Sequence, residues 1–260
     1  MCLTPLAAKA ARQKFARAAG HYDEHAAFHR ALGCDLTARL GNLPSGAKVL
    51  DAGMGTGSGA AGLAEKSNGV WVAGCDAAWP MAAAAKKRYP ALAVCAADVQ
   101  ALPFAGEVFD AVVSNLALQW APDLTQAFGG IFRVLKKGGR FTAAVCAEHT
   151  LEELFTALTQ TALDRSFAWT RLRSLADIRT IGEAIPWARW ETSAETREIR
   201  FSDLNELLRW VKGLGANGLN PPYFLGRRHL ALADQYYRTR FPAGEGIRAT
   251  MEIIWIEAVK

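Results

Sequence analysis

From Lys48 onward the chain alternates short, nearly continuous apolar runs with stretches of helical spacing. The runs are Val49–Ala52, Val70–Cys75, Ala91–Ala96, Phe109–Ser114 and Arg140–Val145, with helical patterns between them at about 58–66, 79–88 and 123–136. Strands that are apolar on both faces belong to a parallel sheet covered by helices, and this alternation marks βαβ units. Pro122-Asp123 opens the last of these helices, and Lys136-Lys137-Gly138-Gly139 reads as its close.

Ahead of this core, residues 5–43 read as two helices. Thr4-Pro5 forms an N-cap and first-turn pair, and a break at Gly20 precedes a second helix carrying Phe28, Leu32, Leu36 and Leu40. After residue 150 helices are expected at 151–165, 174–182, 202–212 and 226–239, and strands at 187–201 and 248–258. The expected fold is α/β: a Rossmann-like, doubly wound, seven-stranded sheet with N-terminal helices and a helical cap inserted late in the chain, over the carboxyl edge where ligands bind. One domain covers 1–260, divided into N-terminal helices (1–44), core (45–147), acceptor-side helices, strand and cap (148–247), and closing strand (248–260).

Composition adds bounds. The 260 residues carry 30 Lys plus Arg against 25 Asp plus Glu, so the net charge of +5 favours acidic partners without naming one. Five cysteines, odd in number and without a C-x-x-C, argue against a disulfide scaffold or a cysteine zinc site. No stretch of about 18 apolar residues exists and the N-terminus is no signal peptide. The expectation is a reduced, cytoplasmic protein with no membrane contact.

The chemistry concentrates in Val49-Leu-Asp-Ala-Gly-Met-Gly-Thr-Gly-Ser-Gly59. A strand ends at Asp51 and runs into Gly53, Gly55 and Gly57, where a tight turn lets the backbone approach a ligand. Alone this is weak. Asp76 closes the second strand, where a carboxylate can accept from both hydroxyls of a ribose, and Asp98 follows the third, where it can accept from an adenine amino group. The loop lacks a phosphate-binding G-K-[ST], which disfavours phosphoryl transfer.

Asp51-Ala-Gly-Met-Gly-Thr-Gly, then Asp76, then Asp98 with Leu102-Pro103-Phe104 and Phe109-Asp110, resembles the class I S-adenosylmethionine-dependent methyltransferases over about residues 45–146. The resemblance implies S-adenosyl-L-methionine as cofactor. Asp51, Gly53, Gly55 and Gly57 would lie around its methionine part, Asp76 at its ribose, and Asp98 and Val99 at its adenine, with Ala77 and Met81 also among the cofactor-binding residues. Asn115, Leu116 and Ala117 would form the far wall. Phe15–Ala26, Ser114–Trp120 and Trp210–Asn217 are similar to segments of the malonyl-acyl-carrier-protein O-methyltransferases of biotin synthesis. Met54 stands where that loop often has Cys, an exchange expected to be harmless because the backbone makes the turn.

That family implies malonyl-acyl-carrier protein as the partner; another small acid or a quinone-like acceptor is the alternative. A malonyl carboxylate is already ionised at neutral pH and needs no general base. Tyr22 is the candidate for closing the transfer pocket, Gln119 and Trp120 for the acceptor side, and Lys212, Arg227 or Arg228 for the acceptor carboxylate. Asn220-Pro-Pro-Tyr223 has the residues of an amine-methylating motif but follows no strand, so it reads as a turn. His21, His25 and His29 read as a polar helix face rather than a metal site. Arg227-Arg228-His229 with neighbouring aromatics could suit nucleic acid or an acidic carrier, and nucleic acid is not the expected partner.

Overall fold

The computed structural model describes residues 4–66, 69–162, 172–216 and 226–260. Its first five strands are β1 (Lys48–Ala52), β2 (Trp71–Asp76), β3 (Ala93–Ala96), β4 (Phe109–Asn115) and β5 (Leu135–Cys146); β6 (Arg189–Phe201), β7 (Pro242–Ala243) and β8 (Gly246–Val259) follow. They form one sheet in the order β3-β2-β1-β4-β5-β8-β6, with the two-residue β7 pairing off this path onto β8. The seven strands of the main path are those expected; β7, too short to show a period, was not.

β1 through β5 pair in parallel, and β8 runs antiparallel between β5 and β6. The order reverses at β1, with β2 on one side and β4 on the other. Crossovers leave opposite faces there, which opens a crevice beyond the carboxyl ends of the strands.

Helices cover both faces. On one lie α3 (Ala27–Leu40), α4 (Ser58–Lys66), α7 (Glu152–Gln160), α9 (Leu204–Gly213) and α10 (Arg227–Arg240); on the other lie α6 (Leu124–Val134) and α8 (Leu175–Glu183). The strand alternation divides the core accordingly: Ile253 and Trp255 of β8 face the first group, Ile254 and Ile256 the second. The remaining helices are α1 (Pro5–Ala18), α2 (Tyr22–His25) and α5 (Trp79–Arg88).

Three local differences from the expected pattern have physical causes. α6 ends at Val134, and Lys136–Gly139 belongs to β5: Leu135 already pairs with Phe109, and the register resumes at Ala111 and Arg140 across an irregularity. Lys136 is drawn there by the Asp110 carboxylate, which its Nζ reaches at 2.8 and 2.9 Å. The second N-terminal helix is split at Ala26, so His21, His25 and His29 do not share one helical face. Of the helices inserted late, α10 packs on α7 and α9 on α10, and together they bury Leu204, Leu207, Val211, Ala233 and Tyr237. Asn220-Pro-Pro-Tyr223 and Phe224 lie outside the described residues.

Candidate active site

A cavity of about 310 Å³ opens at the carboxyl ends of β1, β2 and β4. Its floor is the turn after β1. Gly53 and Gly55 line it with φ of +83° and +55°, angles that side-chain-bearing residues rarely adopt. A Cβ on Gly53 would overlap the Cβ of Ala117, whereas one on Gly55 would project into open space. The Met54 side chain is buried among Ala82, Ala85 and Val94, away from the cavity, so the turn tolerates it.

Asp76 enters at the end of β2. One carboxylate oxygen accepts from the Gly55 N–H at 2.9 Å and the other from the Ala78 N–H at 2.8 Å, which locks the glycine turn to the second strand. Burial holds its pKa above the ordinary range, against the pull of those two N–H groups. Asp98 caps the 3₁₀ turn Val99–Ala101, accepting from the Gln100 N–H at 3.0 Å, and lines the cavity with Val99 and Gln100. Ala77, Met81, Asn115, Leu116 and Ala117 complete this side.

Asp51 and Gly57 stand behind the turn rather than in the cavity lining. Asp51 is buried and accepts from the Ala60 N–H at the start of α4; burial, then the Asp76 charge, pushes its pKa up to about 7. Asp51 thus fixes the first turn of the helix behind the glycines.

The opposite wall is α1. Pro5, Ala8, Lys9, Arg12 and Phe15 recur at helical spacing and present one face to the cavity. Phe15 meets Trp120 edge-on, ring centroids 5.2 Å apart, which joins α1 to the short turn after β4. Tyr22 also lines the cavity; burial first, then the charges of Asp76 and Asp23, raises its pKa, so the phenol keeps its proton. Its ring lies edge-on to His29 at 5.8 Å.

Among the other expected acceptor-side residues, Trp120 lines the cavity and Gln119 is buried beneath it. Lys212, at the end of α9, and Arg227 and Arg228, opening α10, do not line it. Among the described residues, the cations that do are Lys9 and Arg12.

Residues 50–143 match the profile of a family described as a methyltransferase domain. The malonyl-[acyl-carrier protein] O-methyltransferase of Pseudescherichia vulneris is 35% identical over 212 residues, 82% of this chain and 81% of that protein. This chain belongs to the malonyl-acyl-carrier-protein O-methyltransferase family. A member from Methylovorus sp. (strain MP688) is 34% identical over 266 residues, covering 96% of this chain and 88% of its own. Among solved structures, the YcgJ protein of Bacillus subtilis superposes with a TM-score of 0.62 at 19% identity, over 89% of this chain and 98% of that one, a likeness of fold.

Members of this methyltransferase family use S-adenosylmethionine, and the cavity suits that cofactor. Gly55 leaves a space that any Cβ would fill, and two carboxylates, Asp76 and Asp98, offer acceptors for hydroxyl and amino groups. Met81, Val99 and Leu116 offer apolar surface for a flat base, and Trp120 and Tyr22 offer aromatic faces to a cationic sulfonium. Asn115 Oδ1 is buried without a partner among the described residues, while its Nδ2 donates to the His29 carbonyl at 2.8 Å.

Two further participants escaped the sequence pattern. Asp23 of α2 accepts from the Thr56 hydroxyl at 2.7 Å and pairs with Arg88 of α5, fastening the N-terminal helices to the glycine turn. His29 is half-buried with its Nδ1 covered, and desolvation lowers its pKa to about 4. Its polar residue type and the i, i+4, i+8 spacing signalled a surface, and only the split at Ala26 turns it inward. Among the described residues no group of three His, Cys, Asp or Glu side chains could hold a metal ion.

Proposed function

We propose that this protein methylates the free carboxylate of a malonyl group carried as a thioester on acyl-carrier protein, an early step of biotin synthesis. The observation that carries this reading is the identity to named malonyl-acyl-carrier-protein O-methyltransferases over most of the chain, which takes in the N-terminal helices as well as the cofactor turn. The methyltransferase profile alone, over residues 50–143, would not choose an acceptor.

In this reading Asp76 and Ala77 hold the ribose, Asp98 and Val99 the adenine with Met81 and Leu116 against its ring, and Gly53, Gly55, Asn115 and Ala117 the methionine part, with Asp51 and Gly57 supporting from behind. When bound, the cofactor supplies an electrophilic methyl group on a sulfonium. The chain's own contribution is alignment and exclusion of water, because a malonate carboxylate is anionic at neutral pH and needs no base. Tyr22 retains its proton, so it acts as a hydrogen-bond donor or a lid over the transfer point rather than as a base. Trp120 and Phe15 shield the same region. The chain acts as a single domain around this one site, working in the cytoplasm; among the described residues no helix is long and apolar enough to cross a membrane.

The test is direct. Purified protein, methyl-labelled cofactor and malonyl-acyl-carrier protein are expected to give a base-labile methyl ester on the carrier; labelled product only with free acids or RNA would overturn the acceptor.

A further inference from the structure

We infer that the outward face of α1 is the docking surface for the carrier, recognised as an acidic protein that presents an acyl thioester beside the cavity. This rests on the function proposed above and adds the surface to it.

The evidence is charge, exposure and position. α1 contains Lys9, Arg12, Lys14 and Arg17 and no acidic residue; α5, which packs against it, ends in Lys86, Lys87 and Arg88 and also has none. Two adjacent helices thus carry seven cations without a compensating carboxylate of their own, on a chain whose net charge is only +5. Some of these cations are engaged: Arg88 pairs with Asp23, and Lys86 donates to the Pro90 and Leu92 carbonyls. Lys9, Arg12 and Arg17 are exposed and make no ion pair or hydrogen bond with a described residue.

Apolar exposure falls on the same two helices. Leu6 is 77% exposed and Trp79, the first residue of α5, 60%, the two highest values among the large hydrophobic residues described. Leu6, Gln13 and Arg17 share the face of α1 turned away from the cavity, at i, i+7 and i+11, with Lys9 at its border. A basic helix with an exposed leucine suits an acidic partner helix, since charge steers the encounter and an apolar anchor holds it. α10 is the rival surface, with Arg227, Arg228, Arg238 and Arg240. Yet Arg238 is paired with Asp234, and no residue of α10 lines the cavity, whereas the inward face of α1 is its wall. Docking on α1 therefore places a thioester arm next to the opening.

The test compares one reaction on two acceptors: malonyl-acyl-carrier protein, and malonyl-pantetheine, which has no protein to dock. The variant is Leu6→Ser with Arg17→Glu, neither of which lines the cavity. We expect the KM for the carrier substrate to rise ~10-fold or more, with the penalty changing as salt is raised. Turnover of malonyl-pantetheine and the KM for cofactor should stay at wild-type values, which also shows that the variant is folded. An unchanged carrier KM, an equal loss on both acceptors, or a rise caused instead by Arg227→Glu with Arg228→Glu would overturn the surface. Wild-type protein that methylates neither thioester would overturn the function itself, a distinct failure.

Discussion

On one side of the cavity the ligand-facing surface is backbone, held by Gly53, Gly55 and an Asp76 carboxylate that ties two strand ends together. On the other side it is a row of side chains from α1, a helix with only Ala11 and Ala18 buried. The first wall is rigid because its hydrogen bonds and φ angles are set by sheet register. The second is attached by a few contacts, Phe15 against Trp120 and the Asp23 links from α2, and it can vary in side chain without disturbing the sheet. A cofactor common to a whole family suits the first kind of wall, and an acceptor particular to one member suits the second.

Substitutions on the two walls should therefore fail differently. The largest effect is expected for Gly53→Ala, which combines a strained φ with overlap on Ala117; a loss of stability of about 3 kcal/mol should appear in urea unfolding. Gly55→Ala sharpens the contrast, because its Cβ meets open space. It should retain more stability than Gly53→Ala and lose cofactor affinity in calorimetry instead. Next comes Asp76→Ala, which strands the N–H groups of Gly55 and Ala78 and removes the proposed ribose acceptor. Cofactor binding should weaken by about 1–3 kcal/mol, and unchanged affinity would refute its role.

His29 probes the join between the walls. Its folded pKa, about 4, lies below the usual value of 6.5, so the folded state holds fewer protons than the unfolded state between those values. Stability is then greatest above pH 6.5 and falls as pH drops toward 4. The melting temperature of wild-type protein should decline over that window, and His29→Gln should flatten the decline. The smallest effect is expected for Phe15→Leu, which keeps bulk but loses the edge-on contact with Trp120. About 1 kcal/mol in stability is expected, with cofactor affinity close to wild type. A large loss of cofactor affinity would show that the two walls are not separable.

Most of the sheet was legible because each buried parallel strand must be apolar on both faces, and β1 through β4 begin and end within a few residues of their apolar runs. β5 was legible only from Arg140, since its first residues, Lys136–Gly139, are those of a helix end and become strand only by pairing with β4 and Asp110. The acids and glycines of the turn were legible for a similar reason: few residue types can occupy a tight turn against a ligand. In the sequence Lys212, Arg227 and Arg228 read as site cations because a basic cap near the end of the chain could fold over the site. α10 instead packs on α7 and α9 on α10, where their apolar stripes are buried, and among the described residues the cavity cations are Lys9 and Arg12 from the opposite end of the chain.

The sequence by itself therefore determined the parallel core, the cofactor turn and the family, because these depend on local residue type and short spacing. Tertiary structure decided which helix walls the cavity, that Asp51 supports the turn from behind, and that the His29 ring nitrogen is turned inward. Each of those depends on packing between segments distant in the chain, where an exposed-looking pattern is consistent with several placements and only the shape of the assembled core selects one.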